Sequence, residues 1–355
     1  MLQPLGVYVH IPFCVKRCDY CAFATWTDRG HLQTEYMEAL RRDIVAAELA
    51  PVSSVFVGGG TPTLVDPAQL ADALRAIPTT PDAEVTVECN PDDVTVEMLR
   101  TYRAAGVNRV SIGVQSMVPH VLAALGRTHV PANVEQAVAA VRAVGIPTFN
   151  LDLIYGAAGE SLADWRVTLD GAIALRPSHI SAYALTIEAG TPLAEQPHRH
   201  PDDDDLADKY ELADGFLTAA GLANYEVSNW ALPGHECKHN TLYWQQGNYR
   251  GFGSAAHSHL DGRRWWNVRT PERYIAAVTG AEPTEAAGET LDENTRRTEG
   301  LQLAIRTRDG VPAAALSVEA MAAEGLQDLV ESDGVRVRLT QRGRLLANEV
   351  SLRLR

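Results

Sequence analysis

Apolar and polar residues follow two different patterns between residues 7 and 230. Short runs rich in valine, isoleucine and aromatic residues alternate with longer segments that repeat apolar residues every three or four positions. The short runs have the composition and length of β-strands. They predict six strands, at VYVHI (7–11), SVFVGG (54–59), EVTVEC (84–89), RVSIGVQ (109–115), TFNLDLIY (148–155) and HISAYALTI (179–187).

The longer segments have the period of amphipathic helices and separate the predicted strands. They cover residues 34–50, 67–77, 95–106, 133–145, 161–175 and 205–221. Strictly alternating strands and helices indicate βαβ units and a parallel sheet. We therefore predict an α/β fold, a partial (β/α)6 TIM-like barrel, with a doubly wound open sheet as the alternative.

The composition of the sequence changes after Asn229 and Trp230. Residues 234–267 are crowded with Gly, His, Asn, Tyr and Trp, and the segment from about residue 290 has helical patterns. We predict a barrel domain over residues 1–233 and a second, mainly helical, winged-helix-like domain over residues 234–355.

The composition and charge of the chain indicate which classes of partner it can bind. The chain of 355 residues carries a formal charge of −14. Nucleic-acid binding needs a basic surface, so we expect no nucleic-acid partner. The sequence shows no signal peptide pattern at its start and no long apolar run. We therefore predict a cytoplasmic protein with no integral membrane segment.

Three of the five cysteines lie within eight positions. Cys14, Cys18 and Cys21 have C-x3-C-x2-C spacing directly after the first predicted strand. A redox pair needs only two of them, and structural zinc needs four ligands, with His10 as a possible fourth. A [4Fe–4S] cluster held by three thiolates has one iron open to another molecule.

This motif and its position resemble the radical SAM (S-adenosylmethionine) superfamily. The resemblance implies that Cys14, Cys18 and Cys21 hold a [4Fe–4S] cluster and that SAM binds its open iron. Further polar features lie at or near the ends of later strands: the glycine run at 58–60, Glu88, Gln115 and Asp152. Because active sites of α/β barrels lie at the carboxyl ends of their strands, these features favour one shared site. Asn150 and Asp152 are expected on the same face of the fifth strand.

The longer stretches YVHIPFC, VFVGGGTPT, VECNP, SIGVQS, LGRTH and NLDLIYG narrow the resemblance. They resemble the branch of oxygen-independent coproporphyrinogen III dehydrogenases (HemN) and heme chaperones (HemW). One departure is YGAAGE, where Ala158 replaces the usual proline of this loop. The resemblance implies a SAM site lined by Tyr8, Tyr20, Gly59, Gly60, Thr61, Glu88, Gln115, Arg127, Asp152 and Ala184.

Two features favour the heme chaperones within this branch. The dehydrogenases have a further cysteine two positions after the third one, where this chain has Phe23. The segment HNTLYW (239–244) resembles a HemW signature. It implies heme contact by His239, Tyr243 and Trp244, with His257 and His259 as rival iron ligands.

The sequence thus predicts a heme chaperone, with no enzymatic turnover required, that binds heme, SAM and a [4Fe–4S] cluster. Its partners would be heme and heme-accepting respiratory proteins, and a homodimer is possible. The alternatives are a radical SAM enzyme that decarboxylates coproporphyrinogen III oxidatively, and a HemN-like methyltransferase.

Overall fold

The computed structural model describes residues 4–354, apart from the side chain of Val318. Six parallel strands and the helices between them form the first part of the chain. The strands are β1 (Leu5–Ile11), β2 (Val52–Gly59), β3 (Thr79–Cys89), β4 (Arg109–Gln115), β5 (Thr148–Tyr155) and β6 (His179–Ala184). The helices are α1 (Gln33–Ala46), α2 (Pro67–Arg75), α3 (Val96–Ala104), α4 (Pro119–Ala124), α5 (Pro131–Val144), α6 (Leu162–Ala174) and α7 (Asp203–Ala219).

The six strands pair in sequence order and all in parallel. Side chains from every one of them line a single small interior cavity, from Tyr8 on β1 to Ser181 on β6. A sheet whose strands share one interior is curved, as in a barrel. β6 does not pair with β1 among the described residues. The predicted α/β fold with a partial six-stranded barrel is confirmed.

Local sequence explains where the helices begin and end. Pro131 begins α5, and Gly145 ends it in a left-handed conformation that suits glycine. Ser161 and Asp164 form a capping box at the start of α6. The buried faces of these helices pack against apolar strand residues such as Val7 and Leu151 in one large core.

Both edges of the parallel sheet are extended by later strands. β7 (Ala223–Glu226) and β8 (Asn229–Ala231) continue it beyond β6. On the other side, β9 (Asn248–Phe252) pairs in parallel with β1 and is followed by an antiparallel series. That series consists of β10 (His257–Leu260), β11 (Arg263–Asn267) and β12 (Glu285–Thr290). Helices α8 (Lys238–Trp244) and α9 (Pro271–Thr279) lie between these strands in the chain. The sheet therefore has twelve strands within the described residues.

The last part of the chain has its own sheet and its own core. Three short strands pair in the order β13–β15–β14, and a separate apolar cluster contains Ile305, Met321 and Val337. The strands are β13 (Val311–Pro312), β14 (Val330–Ser332) and β15 (Arg336–Leu339), and the helices are α10 (Glu293–Ala304), α11 (Val318–Ala323), α12 (Gln341–Leu345) and α13 (Ala347–Ser351). The division predicted at residue 233 stays a prediction, and the twelve-stranded sheet continues across it.

No helix within residues 4–354 combines the length and the apolar character needed to cross a bilayer.

A buried lysine fixes the loop after β5 to α7. Lys209 is 0% exposed. Its ammonium donates hydrogen bonds to the Glu160 carbonyl at 2.8 Å and to the Asp205 carboxylate at 2.5 Å. The Glu160 carboxylate in turn accepts the Gly156 N–H at 2.6 Å. These contacts hold the loop that carries Ala158 in place of proline.

Replacing Lys209 with alanine is expected to destabilise the fold by about 3–5 kcal/mol, because the buried Glu160 carboxylate, 3.4 Å from the ammonium, loses its cation. The matched control is Lys238→Ala, since Lys238 forms only an exposed ion pair with Asp82 and is expected to contribute at most about 1 kcal/mol. Chemical denaturation measures both. Equal effects of the two substitutions would show that the buried network contributes no special stability.

Candidate cluster and cofactor site

The three clustered cysteines lie on the loop that follows β1. The Cys14 N–H donates to the Trp26 carbonyl at 3.1 Å, and the Trp26 N–H donates to the Pro12 carbonyl at 2.8 Å. These two bonds close the loop at its base. Within it, the Cys21 N–H donates to the Cys18 carbonyl at 3.1 Å. All three cysteines are free thiols and half-buried.

Neighbouring side chains contact two of the thiols directly. The Thr61 hydroxyl donates to the Cys14 sulfur at 3.7 Å, and the Arg127 guanidinium donates to the Cys18 sulfur at 3.8 Å. Burial raises the pKa of the Cys14 and Cys21 thiols. Since metal ligands are thiolates, a positively charged group must offset this cost when they bind.

The thiols are not arranged around a single ion. No group of three or more His, Cys, Asp or Glu side chains within residues 4–354 is placed to hold a metal ion. A cluster distributes its three cysteines over three irons, so it does not need them to converge on one point. The Thr25 hydroxyl is buried without a hydrogen-bond partner, and it lies beside Cys14 and Cys21. A cluster sulfur or thiolate at this place would give that hydroxyl an acceptor.

The glycine run joins the end of β2 to the cysteine loop. Gly59 has φ +108°, and a Cβ there would lie 2.4 Å from the His10 ring, while a Cβ on Gly60 would lie 2.6 Å from the Phe13 carbonyl oxygen. The Gly60 N–H donates to the Ile11 carbonyl at 2.7 Å, and the Thr61 N–H donates to the Phe13 carbonyl at 2.8 Å.

A third N–H group of this segment is also bonded within the protein. The Gly59 N–H also has an acceptor, the Glu88 carboxylate at 3.2 Å. The N–H groups of residues 59–61 therefore have protein acceptors and are not offered to a ligand carboxylate. The glycines are needed here for close approach between protein segments.

Two further predicted residues meet at the ends of β3 and β4. The Arg127 guanidinium donates to the Asn90 side-chain oxygen at 2.9 Å and to the Gly113 carbonyl at 3.2 Å, besides contacting Cys18. Gln115 has φ +63°, a left-handed conformation that is costly for a residue other than glycine and is frequent at functional sites. Arg127 thus ties the strand ends to the cysteine loop.

A polar network fills the interior of the barrel behind these strand ends. The Asp152 carboxylate accepts hydrogen bonds from Ser111 at 2.6 Å and from Asn150 at 2.8 Å. The second contact confirms that residues 150 and 152 share a face. Asn150 also accepts the Nδ1 proton of His179 at 2.7 Å, and the other ring nitrogen of His179 contacts the Tyr225 hydroxyl at 2.9 Å. Burial keeps this imidazole neutral by lowering its pKa well below the usual value.

Two carboxyl groups and one arginine face the small interior cavity. The cavity measures about 140 Å³ and is lined by Tyr8, Glu88, Arg109 and Asp152 among others. Burial and the Asp152 charge raise the pKa of Glu88 to about 8. Burial also raises the pKa of Asp152. Arg109 is only 3% exposed, and the nearby carboxylates help to keep it charged by raising its pKa.

The HNTLYW segment forms α8 at the rim of this cavity. His239 is 1% exposed. Its Nδ1 contacts the Ser54 hydroxyl at 2.9 Å, and its Nε2 contacts the Tyr243 hydroxyl at 2.8 Å. Both ring nitrogens therefore have protein partners in this arrangement. Trp244 lines neither this cavity nor the larger one described next, and its indole N–H is buried without a partner.

A much larger cavity adjoins the cysteine loop. It measures about 830 Å³, and we call it the loop-side cavity. Residues 22–24 of the cysteine loop line it, as do side chains from β9, β10 and β11. Tyr8 and Tyr243 line both cavities.

The structure thus brings most of the predicted residues into one region. Tyr8, Glu88 and Asp152 face the small cavity, while Thr61 and Arg127 contact the thiols. Ala184 lies at the end of β6 opposite Tyr155 and packs against the main core. Tyr20 lies near Cys18 and Arg127 and packs against a smaller apolar cluster. Their predicted roles toward SAM and heme stay predictions.

Sequence reasoning missed several residues of this region. Arg109 and His179 lie at the start of their strands, where no motif marks them. Arg269 and Arg273 line the loop-side cavity, although they lie far from Cys21 in sequence. A buried position for a charged residue on a strand was the one signal that could have identified Arg109.

Comparisons with known proteins agree with this geometry. Residues 8–172 match the family model described as the Radical SAM superfamily. The chain is 45% identical to the heme chaperone HemW of Mycobacterium tuberculosis, over 98% of this chain and 94% of that protein. It is 40% identical to the heme chaperone HemW of Escherichia coli, over 80% of each chain. The fold matches coproporphyrinogen III oxidase (HemN) from Escherichia coli with a TM-score of 0.85, over 99% of this chain and 89% of that chain. At 23% identity this likeness shows the fold alone.

The raised pKa of Glu88 predicts a pH-dependent penalty on stability. The folded state keeps the proton up to about pH 8, whereas the usual value is near 4.5. Unfolding then releases a proton in this window, so the free energy of unfolding falls as the pH rises through it. Glu88→Gln removes the titrating carboxyl group. The free energy of unfolding of the variant, relative to that of the parent chain, is therefore expected to increase from pH 4.5 to 8.

Denaturation of the cluster-free protein across this pH range measures the effect. The control is Glu135→Gln on the exposed side of α5. Its free energy of unfolding, plotted against pH, should run parallel to that of the parent chain. A Glu88→Gln curve that is also parallel would contradict the assignment.

Proposed function

Because the chain belongs to the HemW family and carries a radical SAM domain over residues 8–172, we propose that it is a heme chaperone. It binds heme together with a SAM-bound [4Fe–4S] cluster and delivers the heme to respiratory heme proteins. The observation that carries this proposal is the position of three half-buried free thiols beside a cavity of about 830 Å³. Cavities of this size accommodate large organic ligands.

The cluster is held by Cys14, Cys18 and Cys21. Three thiolates leave one iron of a [4Fe–4S] cluster open for SAM, which supplies a radical when it is cleaved reductively. Around the thiols, the Thr61 hydroxyl and the Arg127 guanidinium donate to sulfur, and the buried Thr25 hydroxyl beside Cys14 and Cys21 is a further donor without an acceptor among the described residues. Donors and a positive charge stabilise thiolates that burial would otherwise protonate.

The residues proposed to hold SAM surround the open side of this loop. Glu88 and Asp152 are carboxyl groups that suit hydroxyl and ammonium partners, and Gln115 contributes an amide at the end of β4. Arg127 links the cysteine loop to β4 through its contacts with the Cys18 sulfur and the Gly113 carbonyl. The proposed set is Tyr8, Tyr20, Gly59, Gly60, Thr61, Glu88, Gln115, Arg127, Asp152 and Ala184.

Phe23 supports cargo binding over porphyrinogen chemistry. It is 66% exposed and lines the loop-side cavity. An exposed aromatic side chain next to a cluster offers a flat apolar surface to a macrocycle. The dehydrogenases that the sequence resembles have cysteine at this position.

The cellular setting belongs to the same proposal. All five cysteines are free thiols, which suits the reducing cytoplasm. We place the chain there, as a homodimer, with heme and heme-accepting respiratory proteins as its partners.

Replacing Cys18 with alanine is expected to abolish the cluster, because two thiolates cannot hold it. Iron and sulfide content and visible absorbance after anaerobic reconstitution measure the loss. Cys89→Ala is the matched control, since Cys89 is buried in the core and its thiol donates to the Val87 carbonyl at 3.6 Å. A full iron content in Cys18→Ala would refute the assigned ligand set.

The function is tested by offering the reconstituted protein two different molecules. With heme, we expect one equivalent to be retained through gel filtration and to pass to an apo heme protein. With coproporphyrinogen III, SAM and a reductant, we expect no decarboxylated product. Product formed catalytically, without heme retention, would establish the dehydrogenase function instead.

A further inference from the structure

We propose that heme binds in the loop-side cavity, with His257 as a ligand to its iron and with Arg269 and Arg273 binding its two propionates. This inference rests on the proposed function and specifies where and how the cargo is held. It differs from heme ligation by His239 of the HNTLYW segment, which lines the small interior cavity and not the loop-side cavity.

The size of the two cavities separates the candidate sites. The interior cavity, which His239 lines, measures about 140 Å³. Ligand pockets for molecules of drug size and above occupy about 300–1,000 Å³. The loop-side cavity, with about 830 Å³, falls within that range. The volume of the second cavity is thus compatible with a tetrapyrrole, whereas the first is too small for one.

The walls of the loop-side cavity suit a flat, largely apolar ligand. Tyr8, Phe23, Tyr249 and Trp266 contribute aromatic rings. Trp266 stacks on the His257 ring with 5.6 Å between the ring centroids and 28° between the planes. Aromatic rings bind a macrocycle through their faces and edges.

Hydrogen bonding decides between the histidines that line this cavity. His10 uses one ring nitrogen toward the Ala24 carbonyl at 2.9 Å and the other toward the Tyr8 hydroxyl at 3.0 Å. His259 uses one toward the Gly247 carbonyl at 2.9 Å and accepts the Gly262 N–H at 3.2 Å with the other. His257 has no hydrogen bond from its ring to any residue in the described part of the chain. Iron ligation needs a nitrogen lone pair that is not already engaged, so His257 is the suitable ligand.

The arginines that line the cavity also differ in whether their guanidinium groups already have partners. Arg264 forms ion pairs with Glu289 at 2.7 Å and with Glu299 at 2.9 Å. Neither Arg269 nor Arg273 has a side-chain hydrogen bond or ion pair with another residue between positions 4 and 354, and both are exposed. Arginine binds carboxylates through paired, charge-assisted hydrogen bonds. Two unpaired guanidinium groups match the two propionates of heme in a chain whose formal charge is −14.

A comparison of heme with metal-free protoporphyrin IX separates the contribution of iron ligation from the other contacts with the macrocycle. The full chain is reconstituted with its cluster and SAM, and the affinities for heme and for protoporphyrin IX are measured by titration. His257→Ala is expected to weaken heme binding about tenfold or more and to shift the Soret band. Its affinity for protoporphyrin IX should change little, because that molecule has no iron to ligate. The exposed His198→Ala is the surface control, and His239→Ala tests the rival ligand.

Heme dimethyl ester, in which both propionates are blocked, isolates the role of the arginines. The parent chain is expected to prefer heme over the ester about tenfold or more, and the double variant R269Q/R273Q should lose this preference. The double variant R41Q/R100Q, with exposed arginines on the outer helices α1 and α3, should keep it.

The outcomes distinguish the inference from the function on which it rests. If the parent chain fails to retain heme, the proposed function fails. If the parent chain retains heme and His239→Ala alone loses the iron-dependent affinity, the function stands and the site inferred here is wrong. An unchanged preference for heme in R269Q/R273Q would likewise overturn the assignment of the propionate contacts.

Discussion

The candidate site depends on two backbone hydrogen bonds that join the end of β2 to the segment before Cys14. The Gly60 and Thr61 N–H groups donate to the Ile11 and Phe13 carbonyls, so the end of β2 is fixed to the residues just before Cys14. This contact requires glycine at position 60, since any side chain would collide with the backbone of residue 13. It also places the Thr61 hydroxyl against the Cys14 sulfur. The thiols consequently sit at the carboxyl edge of the sheet, where barrel enzymes and their relatives bind ligands.

The proposed cluster site and the proposed cargo site share the cysteine loop. Its cysteines face Thr61 and Arg127, whereas residues 22–24 form a wall of the loop-side cavity. The opposite wall is available because β9 pairs in parallel with β1 and brings β10 and β11 alongside. A cluster site and a cargo site that share one short loop can influence each other directly.

The sequence was informative where periodicity and chain order define the neighbours. β4 and β5 have the predicted bounds, because β-branched runs flanked by helical segments leave little choice. The polar residues near the strand ends were found for the same reason, since parallel strands place their carboxyl ends at one edge. β9 to β12 were missed, because they are short and contain polar and glycine residues, and because β9 pairs with β1, more than 200 residues earlier. The engaged nitrogens of His239 and the unpaired guanidinium groups of Arg269 and Arg273 depend on tertiary contacts that no local pattern encodes.

Whether the cluster and the heme are neighbours across this loop is the central question for the function, and the fluorescence lifetime of bound zinc protoporphyrin answers it most directly. The excited porphyrin is a strong reductant, so an adjacent iron–sulfur cluster quenches it by electron transfer. The lifetime in the protein with its cluster should be much shorter than in the same protein without it. Equal lifetimes in the two forms, at full porphyrin occupancy, would contradict a cargo site on the cysteine loop.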